Sequence, residues 1–480
     1  MRYIFGLLTF VIASTSFGQN FAKTAPIPVA TGYGYYHPQI EITNDGFPAV
    51  IWTDFNANNI YFSKHNGTDF DTPVTLNPPN LDVQSYNWSG PDISIDGDNV
   101  YVVFRSLGYE TGHVYMVKST NNGTTWSDTI RVDDLPTGFG QYPDIVALND
   151  TVWVTMMDHD NGGANPEYVV TRSTDGGTTW EPAVAAGSLW AGEACDCCQP
   201  EIVANDNYVI VFFRNNLSNI RDIKAVVSFD RGATFTGQFS VDDHMWSIAG
   251  CPSIGPDARM MTADKVLCVY RTYVSNTAKI FINEYDVNND VSVDLIEVSA
   301  DASTGPLINY PQMDYRNGDL GVVWEGSGNS IDVFFNASTT GASGLDPANA
   351  INITDASVSQ NKPDIIIDAN GKFHIVYADS DGQDIKYVQV TNSGAGLEEM
   401  DVFHTSVYPA PATEVVTFKF DNPEQQKFTF ELYALNGTRL QQITASGSQY
   451  VLNRGDLAAG TYLYKIQLED AISEGKVVFK

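Results

Sequence analysis

The sequence predicts an all-β chain: a seven-bladed β-propeller, with six blades as the alternative, followed by a small β-sandwich. Three observations lead there. A short phrase, Pro, then an acid, amide or Ser, then Ile or Met, recurs seven times. Each copy opens a unit with the same plan of four short strands and tight turns. The composition, 39 Gly, 22 Pro and 12% aromatic residues among runs of Val, Ile, Tyr, Phe and Thr, suits strands joined by turns.

The phrase appears at Pro38-Gln39-Ile40, Pro91-Asp92-Ile93, Pro143-Asp144-Ile145, Pro200-Glu201-Ile202, Pro252-Ser253-Ile254, Pro311-Gln312-Met313 and Pro363-Asp364-Ile365, at intervals of 53, 52, 57, 52, 59 and 52 residues. It starts a first strand. A turn such as Asn44-Asp45-Gly46 follows, then an apolar second strand such as Val100 to Phe104, then a third such as Tyr168 to Thr171. The seven units cover residues 20–392. The last runs out after its third strand near Val390, while Ala25 to Thr31 precedes the first phrase with no unit of its own. That segment is expected to supply the missing strand, leaving no open edge.

Before the repeats, Arg2, the apolar run Ile4 to Ala13 and Ser16-Phe17-Gly18 read as a signal peptide over residues 1–18. No Cys follows the apolar run, so no lipoprotein anchor is expected, and no stretch is long enough for a transmembrane helix. After the repeats, 393–401 reads as a linker.

The balance of 26 Lys+Arg against 58 Asp+Glu, a net charge of −32, argues against nucleic acid or an anionic membrane as partner. At 43% hydrophobic residues, disorder is excluded as well. No EF-hand loop, P-loop, dinucleotide fingerprint, Gly-x-Ser-x-Gly elbow or zincin helix is present.

Candidate chemistry gathers where second strands end. In unit order these ends are Asp54, Arg105, Asp158, Arg214, Arg271, Glu325 and Asp379, all ionisable. Three arginines and four carboxylates around one opening suit an acidic sugar: guanidinium groups clamp a carboxylate, and carboxyl groups act as acid, base or water-positioning group. The competing role is a set of salt bridges locking neighbouring blades.

A second feature is the cysteine set. Cys195, Cys197 and Cys198 lead into unit four and Cys251 into unit five, so Cys251 is expected near the Cys195–Cys198 loop. Export favours a disulfide, Cys197 or Cys198 to Cys251. The alternative is a thiolate site for Cu(I) or Zn(II), with His244 and His37 as further ligands. Cys268 reads as a core thiol. Asp158-His159-Asp160 and Asp379-Ser380-Asp381 are acidic enough to consider Ca²⁺.

Three resemblances rest on these residues. Ser173-x-Asp175-x-Gly-x-Thr-Trp180, Ser228-x-Asp230-x-Gly232-x-Thr234-Phe235, Ser119-x-Asn121-x-Gly123-x-Thr125-Trp126 and a degenerate copy at Ser63 resemble the Asp-box of sialidase-type (BNR repeat) propellers. That family's activity implies an arginine triad, an Asp acid/base and a Tyr nucleophile assisted by Glu. Arg105, Arg214 and Arg271 match the triad, and Tyr35, Tyr36, Tyr109 and Tyr273 are tyrosine candidates. The family's Arg-Ile-Pro phrase is missing, and its six blades differ from the seven units here. A lyase reading rests on His37 beside Tyr35 and Tyr36. The Cys-x-Cys-Cys loop with the later Gly-Cys-Pro resembles a subset of exported propellers of unassigned activity. Finally, Tyr408-Pro-Ala-Pro-Ala, Leu432-Tyr-Ala-Leu-Asn-Gly, Leu457-Ala-Ala-Gly-Thr-Tyr-Leu and the final Lys476 to Lys480 resemble the type IX secretion sorting domain, over residues 402–480. This implies secretion or surface display through that machinery. The function expected is binding or cleavage of an extracellular, acidic glycan or glycoconjugate. The alternative is a non-catalytic binding scaffold.

Overall fold

The computed structural model describes residues 21–32, 35–85, 89–108, 111–135, 140–160, 163–299, 308–327, 330–354, 358–379, 384–392, 405–420, 422, 425–435, 438–468 and 471–480. The signal peptide and linker expectations lie outside them. Residues 1–392 and 393–480 are two separate compact units.

The first unit is built from seven antiparallel sheets among the described residues. In the first, Tyr35–Ile42, Pro48–Asp54, Asn59–Lys64 and Val74–Thr75 pair in chain order. The other six repeat this plan. Every second strand is almost wholly buried, because both its faces meet a neighbouring sheet. The seventh sheet takes its outer strands from the start of the chain: Ile27–Ala30 and Phe21–Lys23 pair with Asp384–Asn392. These are residues that the repeat count leaves over at the front of the chain.

Apolar cores lie between successive sheets. One joins Ile51 and Phe62 of the first to Val102 and Phe104 of the second; another joins Val376 of the seventh to Trp52 of the first. The inner strands likewise touch in succession, the seventh against the first.

Carboxylates stitch these inner strands together. Each inner strand leaves one edge without a strand partner, and its amides still need acceptors. Asp364 accepts from Ile40 N at 2.7 Å, Asp92 from Ile145 N at 3.1 Å, and Asp144 from Ile202 N at 2.5 Å. Asp257 accepts from Met313 N at 2.5 Å and Asp314 from Ile367 N at 2.7 Å. Most of these acids follow the recurrent proline, so the phrase has a physical meaning: it carries the acceptor for the next sheet.

This geometry corrects the fifth phrase. The inner strand of the fifth sheet is Asp257–Met260, directly after Pro256, and not Ser253-Ile254 after Pro252. Pro252 lies in the loop before it. With Pro256, the intervals on either side become 56 and 55 residues.

The turns between third and fourth strands are closed by their own side chains. Ser173 Oγ accepts from Gly177 N at 2.8 Å, and Asp175 accepts from Thr179 N at 2.8 Å and Thr179 Oγ1 at 2.6 Å. Ser228, Asp230, Gly232 and Thr234 repeat the pattern. Gly232 has φ 81°, and a Cβ there would meet the Trp153 ring at 2.7 Å. The turn at Gly176 bonds to Asp150 in the first-to-second-strand hairpin. These turns therefore sit at the opposite end of the sheets from Asp54 and its equivalents.

The second unit holds two antiparallel sheets, of three and four strands, around one core that includes Phe418, Phe430 and Tyr464.

The inner-strand acids carry a pH signature. Burial, with Asp314, Asp364 and Asp92 nearby, raises Glu41 to about 8 against the pull of Arg259. Its side chain is partly exposed and lines a cavity with Asp92 and Asp364. A carboxyl raised on folding contributes stability fully below its unfolded value near 4.5, and that contribution is lost as pH rises toward 8. Glu41→Gln removes the loss. Melting curves from pH 5 to 9 should show the variant gaining on wild type up to about pH 8, by a few kcal/mol at most, and then running parallel. A constant difference would mean that Glu41 is ionised in the folded chain.

Candidate functional site

Asp54, Arg105 and Asp379 end their strands, but the strands of Asp158, Arg214, Arg271 and Glu325 run on to Asp160, Asn216, Val274 and Ser327, and the seven residues do not converge on one opening. Arg214 is fully buried, and its guanidinium donates to the carbonyls of Ile254 at 3.0 Å, Arg221 at 2.5 Å and Arg271 at 2.8 Å. Arg105 donates to Gly140 O at 2.7 Å, Gly108 O at 2.9 Å and Ser106 O at 3.3 Å. Both arginines are turned toward the next sheet or their own loop, where carbonyls lack strand partners. The expected three-arginine clamp is therefore not formed.

Arg271 differs. It is only half-buried, stacks over Trp246 and Tyr273, and donates to Tyr273 Oη at 3.0 Å, while its Nε has no acceptor. Burial lowers its pKa, as expected for a guanidinium without a carboxylate partner. The carboxylates are also dispersed. Asp54 accepts from Asn56 N and Ala57 N in its own turn. Glu325 accepts from Lys362 N at 2.8 Å and pairs with its Nζ at 3.4 Å. Asp158 is raised by burial and faces Glu167, also raised by burial, across the strand pair. Asp379 keeps one buried oxygen without a partner.

The site that the structure does assemble lies one step before the recurrent proline. In four sheets the inner strand carries a β-bulge there, with two residues facing one on the second strand. Its first residue is His37, Tyr142, Tyr310 or Lys362, with φ of 50°, 53°, 44° and 52°. A positive φ is unfavourable for any side chain, and more so before proline. Proline tolerates the bulge because it has no N–H to leave unpaired. At the equivalent position of the second sheet stands Gly90, where a Cβ would lie 2.6 Å from His37 Cβ.

His37, Tyr310 and Lys362 line a cavity of about 80 Å³ with Gln39, Gln199 and Gln312. Tyr142 lines a smaller recess beside it, with Gln84 and Arg105. Lys362 is buried, and its Nζ sits 3.2 Å from the centre of the Tyr310 ring. Burial lowers the lysine and raises the tyrosine, to which the Glu325 charge adds. Sequence reasoning singled out only His37. The available signal was a bulky polar residue directly before Pro in several units.

Below this mouth, a cavity of about 260 Å³ is lined by all seven inner strands. Its one cation, Arg259, meets Asp257 at 2.9 Å, Glu201 at 3.1 Å and Asp314 at 3.4 Å. Burial raises Asp364 to about 7 and holds Asp144 and Glu201 well above the carboxylate range.

The cysteines gather as expected from their spacing. Cys197 and Cys251 form a disulfide with Cα atoms 6.3 Å apart, while Cys195 and Cys198 are buried thiols. Ligand atoms of Cys195, Asp196, Cys197 and Cys251 lie within 4.8 Å of one another, so a soft metal would have donors here once the disulfide was reduced. A hydrogen bond from Cys198 and the charges of Arg221 and Arg214 bring Cys195 to about 7 against its burial. Burial raises Cys198. His244 pairs with Asp242 at 2.7 Å. The expected Ca²⁺ ligands are engaged locally: Asp158 with His159 N, Asp160 with Asn165. Ser380 and Asp381 lie outside the described residues.

Residues 406–480 match the model of the secretion system C-terminal sorting domain. The protein is therefore secreted or displayed at the cell surface. No helix among the described residues is long and apolar enough to cross a membrane. No curated protein matches the chain. Among solved structures, it resembles an α-L-arabinanase from Penicillium chrysogenum at 12% identity over 66% of this chain and 96% of that one, TM-score 0.45. It also resembles a leech intramolecular trans-sialidase at 10% over 77% and 91%, TM-score 0.43. A Streptococcus pneumoniae sialidase aligns at 12% over 78% and 70%, TM-score 0.43.

The two arginine environments make opposite predictions. Arg214→Ala strands three carbonyls and opens a void, and should cost at least about 3 kcal/mol in chemical denaturation. Arg271→Ala should cost about 1 kcal/mol or less. Equal losses would return Arg271 to the structural set.

Proposed function

We propose that residues 21–392 are a seven-bladed propeller of the sialidase-like, Asp-box kind, and that the exported protein binds an extracellular glycan at the mouth of its central channel. The observation that carries this reading is the set of bulged residues His37, Tyr142, Tyr310 and Lys362. They occupy equivalent positions yet carry three chemistries, an imidazole, two phenols and an amine, and each holds a backbone conformation that costs energy. A purely structural ring would repeat one residue, as the stitching acids nearly do. Strain kept at chemically varied positions points to a binding role.

The groups fit a sugar. Tyr310 offers a ring face, and Gln39, Gln199 and Gln312 offer amides that both donate to and accept from hydroxyls. The acidic character of the glycan rests on Arg271, the arginine of the three whose guanidinium is not committed to backbone carbonyls. The second reading, a scaffold without turnover, is favoured by one fact: no strand-end carboxylate pair faces the mouth cavity.

Calorimetric titration of the full-length protein with neutral and acidic oligosaccharides tests this. Gln39→Ala combined with Gln312→Ala should weaken the best ligand at least tenfold while the melting temperature holds. Arg271→Ala should weaken a uronate- or sialate-containing ligand and spare a neutral one. New reducing ends identify a hydrolase, an unsaturated uronate product a lyase, and binding without product a scaffold. No binding across both panels would refute the glycan site.

A further inference from the structure

We infer that Cys195, Cys197, Cys198 and Cys251 form a thiol–disulfide exchange site, in which Cys195 displaces Cys251 from Cys197 and presents Cys251 as a reactive thiol to external disulfides. This goes beyond the glycan reading and does not depend on it; the loops concerned lead into the fourth and fifth sheets.

The first observation is contact. Cys195 Sγ lies 3.7 Å from Cys197 Sγ, the van der Waals distance for two sulfurs, so the attacking atom already touches the atom it would attack. The second is the cation. Arg221 is buried, and its Nε and Nη1 find no acceptor. A guanidinium desolvated without a partner is costly unless negative charge develops beside it. Hydrogen bonds tie Arg221 to Cys195 through Arg214: Cys195 N donates to Arg214 O, and Arg214 Nη1 donates to Arg221 O.

The third observation is redundancy. A disulfide retained only as a staple should hold loops that nothing else holds. Here Arg214 Nε bonds Ile254 O at 3.0 Å, Gly255 N bonds Gln199 Oε1 at 3.2 Å, and Tyr168 Oη bonds Cys198 O at 2.6 Å. The first two bonds still reach across to the loop before the fifth sheet when the Cys197–Cys251 bond opens, and the third holds the Cys198 loop to the third sheet. The fourth is exposure. Cys195 and Cys198 are buried and Cys251 is exposed, so exchange moves the free thiol from inside to outside.

The step balances within the protein. A bond forms between the Cys195 and Cys197 sulfurs, and the Cys197–Cys251 bond breaks with its electron pair on Cys251. The proton that leaves Cys195 ends on Cys251, and nothing is oxidised or reduced overall. Cys251 then attacks a disulfide R–S–S–R, forming a mixed disulfide and releasing R–SH.

The test uses the full-length protein purified without reductant and incubated with oxidised glutathione. Samples are acid-quenched and digested for disulfide mapping by mass spectrometry. Glutathione should appear on Cys251, and the same molecules should carry a Cys195–Cys197 disulfide. Cys268, buried in the core, should stay unmodified and so report that the chain remained folded. Cys195→Ser should keep the Cys197–Cys251 bond and the melting temperature while labelling of Cys251 falls at least tenfold. Should that variant fold poorly, the wild-type map alone still decides. The inference fails if Cys251 stays unlabelled, if Cys268 is labelled at the same rate, or if labelling persists in Cys195→Ser. It fails equally if elemental analysis finds a stoichiometric metal on four reduced thiols.

Discussion

A carboxylate that accepts the backbone N–H of the next sheet's inner strand is the interaction on which the rest of this fold depends. Radially packed sheets leave every innermost strand with one edge toward the axis, and its amides are orphaned unless something reaches them. Asp364 to Ile40, Asp92 to Ile145 and Asp144 to Ile202 supply that acceptor from the neighbouring sheet. The solution has an electrostatic consequence. Seven carboxyl side chains, Glu41, Asp92, Asp144, Glu201, Asp257, Asp314 and Asp364, are crowded near one axis. Arg259 is the cation among them. Burial acts against its charge, but Asp257, Glu201, Asp314 and Glu41 hold it protonated. Burial raises Glu41, Asp144, Glu201 and Asp364 in turn, so the same crowding that holds the sheets together opposes ionisation of these carboxyls.

Because the axis is committed to acids that hold the sheets together, selective chemistry has to sit above it. The bulges provide that place. Two residues opposite one on the second strand turn the first of them out of the strand's alternation, and the following proline leaves no donor unpaired. His37, Tyr142, Tyr310 and Lys362 thereby stand outside the alternation that sets the acids after them. Stitch and bulge are adjacent within one phrase of sequence, and the proline belongs to both.

Much of this was legible in the sequence because periodicity survives substitution. The period of the Pro phrase located the sheets, and the surplus segment Ala25 to Thr31 supplied the strand Ile27–Ala30 pairing with Asp384–Asn392, while the further strand Phe21–Lys23 before it was not foreseen. The fifth phrase misled because Pro252 and Pro256 stand four residues apart, and Ile254 mimics the motif better than Ala258 does. Asp257, the acid that accepts from Met313 N, was the deciding signal. Strand-end charges were legible as types but not as directions. Sequence suggests that Arg214 ends a strand, but that strand runs on to Asn216, and only packing shows its guanidinium turned into carbonyls of the fifth sheet and the loop before it. The bulges were hidden for a related reason: a backbone conformation is read from local residue choice only where glycine marks it, and here histidine, tyrosine and lysine hold it.

Arg214 also explains why mouth and cysteine loop are mechanically linked. Its backbone carbonyl accepts from Cys195 N at 2.8 Å, while its guanidinium grips Ile254 O and lies 5.0 Å from the Trp246 ring. Trp246 in turn stacks on Tyr273 and Arg271. Gln199, directly after Cys198, lines the mouth and accepts from Gly255 N. A change of sulfur partner at Cys197 acts on a loop whose next polar side chain but one faces the cavity. The same loop is tied through Arg214 to the aromatic stack that carries the uncommitted guanidinium. Cys197 and Gln199 thus stand two residues apart on one loop that contacts from Gly255 and Ile254 hold against the neighbouring sheet.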